Sequence, residues 1–215
     1  MNDEWPYVTF ILITINLAVF LFTYEASVNQ VSEWALNTFG LIPQQLHLRL
    51  YTLITHMFIH GDIMHFYGNM FMLAIVGWVG ERKIGGTKFA LFYFLSGLIV
   101  IPFAFLMEYL TGITVILIGA SGAIFGLMFL AGALAGWEEV PALLIPVLNL
   151  IALPYVAFTL KNIKLPLFVA ILFYFIENLM MLFINLPYSI GEIAHFAGVI
   201  GGVIAFTIVL PGENK

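Results

Sequence analysis

The chain has no cysteine and very few charged residues. Of its 215 residues only 9% are Asp, Glu, Lys or Arg, whereas 62% are hydrophobic, and the mean hydropathy is +1.06. A soluble domain carries about 25% charged residues. The lack of cysteine excludes disulfides and thiolate metal sites. The low charge and high hydropathy predict a polytopic membrane protein. No basic stretch could bind a phosphate backbone, so we expect no nucleic-acid partner.

The first residues also lack positive charge. They read MNDEWPYVTF, with no Lys or Arg before the first apolar run. A cleavable signal peptide would carry a positively charged segment in front of its apolar core. We therefore expect the first apolar run to be a membrane span.

Apolar runs recur along the whole chain. A helix of about 20 residues crosses about 30 Å of hydrocarbon. The sequence predicts one all-α domain over 1–215, a bundle of six transmembrane helices. The predicted spans are residues 5–24, 62–81, 88–110, 117–136, 165–184 and 191–210.

Two further stretches do not fit a simple span. Residues 25–61 are too polar to cross and too apolar for an ordinary loop, so we expect short amphipathic helices lying partly in the membrane interface. Residues 140–160 are apolar but contain three prolines, which remove helix hydrogen bonds, although real spans tolerate them. We expect this run to be re-entrant or interfacial on the cytoplasmic side.

Basic residues orient the chain. Arg82, Lys83 and Lys88 cluster after the second span, and Lys161 and Lys164 precede the fifth. The positive-inside rule places such clusters in the cytoplasm. We expect a multi-pass protein of the plasma membrane, with both termini cytoplasmic and the loop at 25–61 external.

Several polar side chains fall inside the predicted spans. His65 and Asn69 are four residues apart, so they share a helix face at the outer end of the second span. Ser121 opens the fourth span and His195 opens the sixth, both from the outer side. Polar groups within a membrane are costly and mark functional sites by default.

Small residues recur one helical turn apart on the fourth and sixth spans. Such stripes let two helix backbones approach closely. If the two spans pack through them, Ser121 and His195 lie near each other. The stripes are Gly122 and Gly126 on the fourth span, and Ala194, Gly198 and Gly202 on the sixth.

This arrangement suits acyl transfer. His195 could act as a general base for a Ser121 nucleophile. The oxyanion formed would need hydrogen-bond donors, and His65, the Asn69 amide and backbone N–H groups from Gly119 to Ser121 are available.

Structural explanations remain open for the same residues. A Ser beside glycines is ordinarily packing material, and the soluble-hydrolase elbow G-x-S-x-G does not match here. His56 and His60, four apart on a predicted helix, could be interfacial hydrogen-bonding residues. We expect no metal, because His60 and His65 are five apart and should point to different faces. Glu177 could partner a neighbouring polar group or belong to a proton path.

Three motifs in this order resemble the rhomboid family of intramembrane serine proteases. They are HxxxHxxxxHxxxN at 56–69, GxSG at 119–122 and AHxxGxxxG at 194–202, and the resemblance covers about residues 45 to 210. It implies a six-helix fold and a cofactor-free dyad of Ser121 and His195, with His65 and Asn69 in the oxyanion hole.

The resemblance also implies a class of substrate and a route by which the substrate enters the site. Substrates in the family are single-pass membrane segments with a helix-destabilising stretch, cut near the outer surface. The external loop would lie partly in the outer leaflet, and the fifth span and the loop after it would gate substrate entry.

Two details of the site bear on that resemblance. Phe125 stands where many bacterial members carry a Tyr that packs on the catalytic histidine; the ring is kept and the hydroxyl is lost. Glu192 lies three residues before His195, but at the outer end, where water can solvate it. We expect a dyad without a third carboxylate.

Two other functions would use the same residues. A transporter or channel could line its pore with them, although transporters often show repeats and helices broken in both halves, and no repeat is found here. A non-catalytic adaptor could bind transmembrane helices through the same bundle.

Overall fold

The computed structural model describes residues 5–141, 164–184 and 190–211, and most of these are helical. Short 3-10 helices cover Pro43–Leu48 and His56–Phe58. Within the described ranges, four short strands form two antiparallel pairs, β1 (Tyr24–Glu25) with β2 (Gln30–Val31) and β3 (Glu139–Pro141) with β4 (Lys164–Pro166). The α-helices are α1 (Tyr7–Thr23), α2 (Glu33–Phe39), α3 (Thr52–Thr55), α4 (Ile63–Ile84), α5 (Gly86–Ile99), α6 (Ile101–Thr111), α7 (Ser121–Ala135), α8 (Leu167–Ile184) and α9 (Ile190–Val209).

Within the described residues, two helical stretches are long and apolar enough to cross a membrane. They are α4 and the combined stretch Gly86–Thr111, which joins α5 to α6. The apolar parts of α1, α7, α8 and α9 are shorter. The mostly helical, apolar chain fits an all-α membrane protein, and the number of crossings stays a prediction.

The helices begin and end within four residues of the predicted runs. The third run is divided at Val100, just before Pro102 at the start of α6, because proline has no N–H for the helix ladder. The largest shift is at the fourth run, where the helix begins at Ser121 instead of residue 117. Leu117 is extended there and exchanges backbone hydrogen bonds of 3.0 and 2.8 Å with Leu41.

The segment between α1 and α4 is built from the short helices α2 and α3, the β1–β2 hairpin and the two 3-10 helices. Its Leu41 is fully buried against the segment in front of α7. α4 then begins at Ile63 and is capped by Asp62, whose carboxylate accepts hydrogen bonds from the N–H groups of Met64 and His65 at 2.8 and 2.9 Å. This cap satisfies N–H groups that have no partner in the first turn, so it sets where His65 begins its helix.

A buried carboxylate ties α1 to α4. The side chain of Glu81 accepts hydrogen bonds from the N–H of Val8 at 2.8 Å and from the N–H and hydroxyl of Thr9 at 2.7 and 2.8 Å. Glu81 thereby accepts hydrogen bonds from N–H groups at the start of α1 that have no acceptor within the helix. The positive end of the helix dipole stabilises the carboxylate charge.

α7 forms the centre of the bundle and packs against α4, α5 and α9. Most of its side chains are buried, including Ile124, Leu127, Met128 and Leu130. α7 itself carries no polar side chain after Ser121, so its contacts depend on close packing more than on side-chain hydrogen bonds.

The described ends of the proline-containing segment lie side by side. β3 follows α7, β4 precedes α8, and the two strands pair antiparallel, with Glu139 opposite Pro166. Lys83 at the end of α4 forms an ion pair with Glu138 in the same region. The two described strands therefore lie together at one end of the bundle, the end opposite Ser121. The predicted re-entrant or interfacial run at 140–160 lies almost wholly outside the described residues.

Candidate active site

A cavity of about 520 Å³ opens at the end of the bundle where α4, α7 and α9 begin. Its polar lining includes Ser121 from α7, His195 from α9, and His65 and Asn69 from α4. Most of the remaining lining is apolar. Four residues singled out from the sequence thus face one space, although they come from three helices.

Ser121 is the first residue of α7 and follows a tight backbone turn. Gly119 has φ of +101°, a region that side chains disfavour, and a Cβ at this position would lie only 2.7 Å from Nε2 of His65. Glycine is therefore required both by the backbone and by the approach of His65. The turn aims the Ser121 side chain into the cavity.

The prediction that the N–H of Gly119 serves as an oxyanion donor does not fit this turn. That N–H donates to the carbonyl oxygen of His56 at 2.8 Å. A donor already engaged with a backbone carbonyl cannot also bind a developing charge without breaking that bond. The N–H of Ser121, in the first turn of α7, has no intrahelical acceptor.

His195 is held on two sides. The ring of Phe125 stacks on its face, with centroids 4.3 Å apart and planes 9° from parallel. Nδ1 of His195 lies 2.5 Å from Oδ1 of Asn178 on α8. Phe175, one helical turn before Asn178, contacts Phe125 edge to face at 5.8 Å. α8 therefore supports the histidine both directly and through the stacked phenylalanine.

His65 and Asn69 present donors next to Ser121. The N–H of Gly61 donates to Nδ1 of His65 at 3.3 Å, so in the neutral ring the proton lies on Nε2. Asn69 is 8% exposed, and its Nδ2 has no hydrogen-bond partner among the described residues. Both groups converge on the Gly119 backbone immediately before the nucleophile candidate.

The glycine stripes form the contact that brings α7 and α9 together. A Cβ at Gly198 would overlap the carbonyl oxygen of Gly122. A Cβ at Gly202 would lie 2.7 Å from the carbonyl oxygen of Gly126. This close approach at the start of both helices is what allows Ser121 and His195 to share a cavity.

Two sequence expectations about the other histidines were wrong. His56 and His60 do not share a helix face, because the chain is helical only to Phe58 and starts again at Ile63. For the same reason the chain turns between His60 and His65, and their rings touch edge to face at 5.1 Å. Among the described residues, no three His, Asp or Glu side chains form a group that could hold a metal ion.

His56 has a structural position in the segment between α1 and α4. Its Nδ1 donates to the carbonyl oxygen of Thr52 at 2.7 Å, and its own carbonyl anchors Gly119. Burial lowers the pKa of His56 to about 4, because the charged ring would lose its hydration, while the bond to Thr52 acts in the opposite direction. His56 is therefore neutral near pH 7.

Sequence reasoning missed Asn178. It drew attention to Glu177 in the same helix, but the side chains of Glu177 and Glu192 lie outside the described part of the structure. Asn178 could have been found by the rule that identified the other residues, because it is an amide in an otherwise apolar span. What the sequence could not supply was its partner on another helix.

The mostly helical, apolar fold fits a membrane protein, and Ser121 and His195 line one cavity at one end of its bundle. Comparison with models of known families finds a Rhomboid domain over residues 47–212. The chain therefore belongs to the rhomboid family, whose members are intramembrane serine proteases, and the resemblance drawn from the motifs is confirmed. No curated protein matches the chain.

Proposed function

We propose that this protein is an intramembrane serine endopeptidase that works through a dyad of Ser121 and His195. The observation that carries the proposal is the shared cavity, in which Ser121, His195, His65 and Asn69 all take part. Family membership supports protease activity, and the geometry supports these residues as the ones that perform it.

In the first half of the reaction, Oγ of Ser121 attacks the carbonyl carbon of the scissile peptide. Nε2 of His195 accepts the hydroxyl proton and then passes it to the leaving amine as the C–N bond breaks. The product is an acyl ester on Ser121. Water, deprotonated by His195, attacks that ester and releases the new carboxyl end, and the proton returns to Ser121.

The tetrahedral intermediate places negative charge on the former carbonyl oxygen. We assign the donors to the Nε2–H of His65, the Nδ2–H of Asn69 and the N–H of Ser121. The first two are supported by their convergence beside Gly119 and by the His65 tautomer that Gly61 selects. Preorganised donors of this kind act strongly in a site that excludes bulk water.

The substrates we propose are transmembrane segments of single-pass membrane proteins, with lipid as the surrounding partner. The mainly apolar lining of the cavity suits an apolar peptide. An unwound stretch is needed because a scissile carbonyl inside an intact helix is shielded by its own turn. We place the protein in the plasma membrane with the cavity toward the outer side and both termini in the cytoplasm, as the positive-inside rule favours.

The function is tested by covalent labelling with a fluorophosphonate and by cleavage of a model single-pass substrate. The parent protein should be labelled at Ser121 and should cleave, whereas Ser121→Ala and His195→Ala should do neither. Ser96→Ala is the matched control, because Ser96 is a buried membrane serine outside the cavity, and it should retain both. Cleavage by Ser121→Ala would contradict the mechanism.

The orientation has a separate test, since the chain has no native cysteine. Single cysteines at Glu139 and Lys164, in the paired strands β3 and β4, should both react only with a reagent added from the cytoplasm. A cysteine at Tyr109, at the far end of α6, should react only from outside. Reaction of the first two from outside would reverse the proposed orientation.

A further inference from the structure

The side chain of Asn178 contacts the candidate base at the Nδ1 edge of its ring, whereas Phe125 stacks on the ring face. Its Oδ1 lies 2.5 Å from Nδ1 of His195, and the residue is only 6% exposed. Phe175, on the same helix, supports Phe125 from behind. The contact therefore belongs to the environment of His195 and not to the general packing of α8.

An amide oxygen accepts hydrogen bonds and cannot donate them. If Oδ1 faces the ring, Nδ1 of His195 must carry the proton, and Nε2 of the neutral ring is then unprotonated. That is the tautomer a general base needs. The opposite tautomer has its proton on Nε2 and cannot accept the proton of Ser121.

We propose that Asn178 is a positioning residue that completes a Ser121–His195–Asn178 triad. The proposal rests on the dyad proposed above and adds to it a group that selects the tautomer and fixes the ring rotation. Stacking on Phe125 sets the plane of the ring, but a 180° flip about the Cβ–Cγ bond keeps that plane and exchanges the two ring edges. The bond from Nδ1 to Asn178 selects one of these two orientations. An Asn can fill this role in place of a carboxylate, as it does in cysteine proteases with a Cys–His–Asn set.

The two histidines of the cavity then have complementary tautomers, each chosen by a neighbour. Gly61 donates to Nδ1 of His65, which leaves Nε2–H as a donor for the oxyanion. Asn178 accepts from Nδ1 of His195, which leaves Nε2 as an acceptor for the Ser121 proton. One ring donates and the other accepts at the same time, without either being charged.

The tautomer is measured by ¹⁵N NMR on protein with labelled histidine in the Ser121→Ala background. Protonated and unprotonated ring nitrogens differ widely in chemical shift, and the His195 signals are assigned by their loss in Ser121→Ala/His195→Ala. We expect the proton on Nδ1 when Asn178 is intact and its transfer to Nε2 in Asn178→Leu. A proton on Nε2 with Asn178 intact would overturn the proposal. That result is obtained on protein with native Asn178 and does not depend on proteolysis.

Enzyme kinetics provide a second test of the role of Asn178. Asn178→Leu, close in size but without an acceptor, should lower kcat on the order of 10²-fold with KM unchanged, within the range that general bases contribute. Asn178→Asp restores an acceptor at the same place and should recover most of that loss. Leu179→Ala, on the exposed side of the same helix, is the control for disturbance of α8 and should cleave like the parent.

Failure of the proposed triad can be distinguished from failure of the proposed protease function. If Ser121→Ala abolishes cleavage while Asn178→Leu cleaves at the parent rate, the dyad stands and the triad is overturned. If Ser121→Ala still cleaves, the proposed function fails whatever the NMR result. Loss in Asn178→Leu without recovery in Asn178→Asp would also overturn the proposal, because it would assign Asn178 a structural effect only.

Discussion

Gly202→Ala should separate α7 from α9 and thereby weaken both the fold and the catalytic geometry. The added methyl group would lie 2.7 Å from the carbonyl oxygen of Gly126 and 2.8 Å from its Cα. Both atoms belong to the α7 backbone, so no side chain can rotate away to make room. The two helices must move apart by roughly 0.7 Å to restore ordinary van der Waals contact.

The size of the effect follows from overpacking. Extra methyl groups forced into a close-packed interior cost about 1–3 kcal/mol. Replacing a glycine within a helix by alanine also gives a gain of up to about 1 kcal/mol from helix propensity. A matched control removes that second contribution: a Cβ at Gly68, inside α4, meets nothing within 4 Å.

We therefore expect Gly68→Ala to raise the free energy of unfolding slightly and Gly202→Ala to lower it. The difference between the two variants should be about 1–3 kcal/mol, or about 5- to 150-fold in the unfolding equilibrium. The assay is unfolding in detergent micelles by titration with SDS, followed by circular dichroism. Gly198→Ala should be more severe, because its methyl group would overlap the carbonyl of Gly122.

The same variants test whether this contact positions the dyad. Gly202 lies two helical turns after His195, so separation at Gly202 should tilt α9 and shift the base from the nucleophile. A misplacement of about 1 Å can cost on the order of 10²-fold in rate, so fluorophosphonate labelling of Gly202→Ala should slow by about tenfold. Gly68 lines the cavity, so it is the control for unfolding only, and the parent protein is the reference for labelling. If Gly202→Ala unfolds like Gly68→Ala and labels like the parent, the close approach of α7 and α9 is refuted.

The remaining predictions concern single side chains. Asn69→Ala should reduce turnover on the order of 10²-fold with little change in stability, because its Nδ2 has no partner among the described residues to lose; cleavage at the parent rate would remove it from the oxyanion hole. Glu81→Gln should lower the unfolding free energy by about 1.5–3 kcal/mol, because the bonds from Val8 and Thr9 lose their charge; unchanged SDS unfolding would contradict the α1 anchor. Burial lowers the pKa of His56 from 6.5 to about 4, so between these values the unfolded chain binds more protons than the folded one. Stability should be full above about pH 6.5 and fall as the pH drops toward about 4; His56→Gln should flatten that slope, and an identical slope in both proteins would show that His56 does not cause it.

Local chemistry in the sequence was sufficient for the helices and for relationships within one helix. Apolar runs of the right length set the helices, because a backbone in lipid must satisfy its hydrogen bonds internally. His65 and Asn69 share a face because helix geometry alone brings residues four apart together. The same spacing rule failed for His56 and His60, because the chain leaves the helix at Ile59.

Relationships between helices required the tertiary structure. The N–H of Gly119 binds the carbonyl of His56, which lies more than 60 residues earlier in the chain. Nothing in the local pattern around either residue indicates that this donor is already used. The outcome depends on how the segment between α1 and α4 packs against the turn before α7, and that is set by packing of the whole bundle.

By itself, the sequence determined that the chain is an apolar helical bundle of the rhomboid type, and which serine and histidine to examine, because composition, helical period and motif spacing are properties of the chain. Only the tertiary structure decided that Asn178 meets Nδ1 of His195, since the rotation of α8 about its own axis is set by the side chains it packs against. The sequence alone shows that Asn178 is polar, whereas its hydrogen-bond partner is determined by the fold.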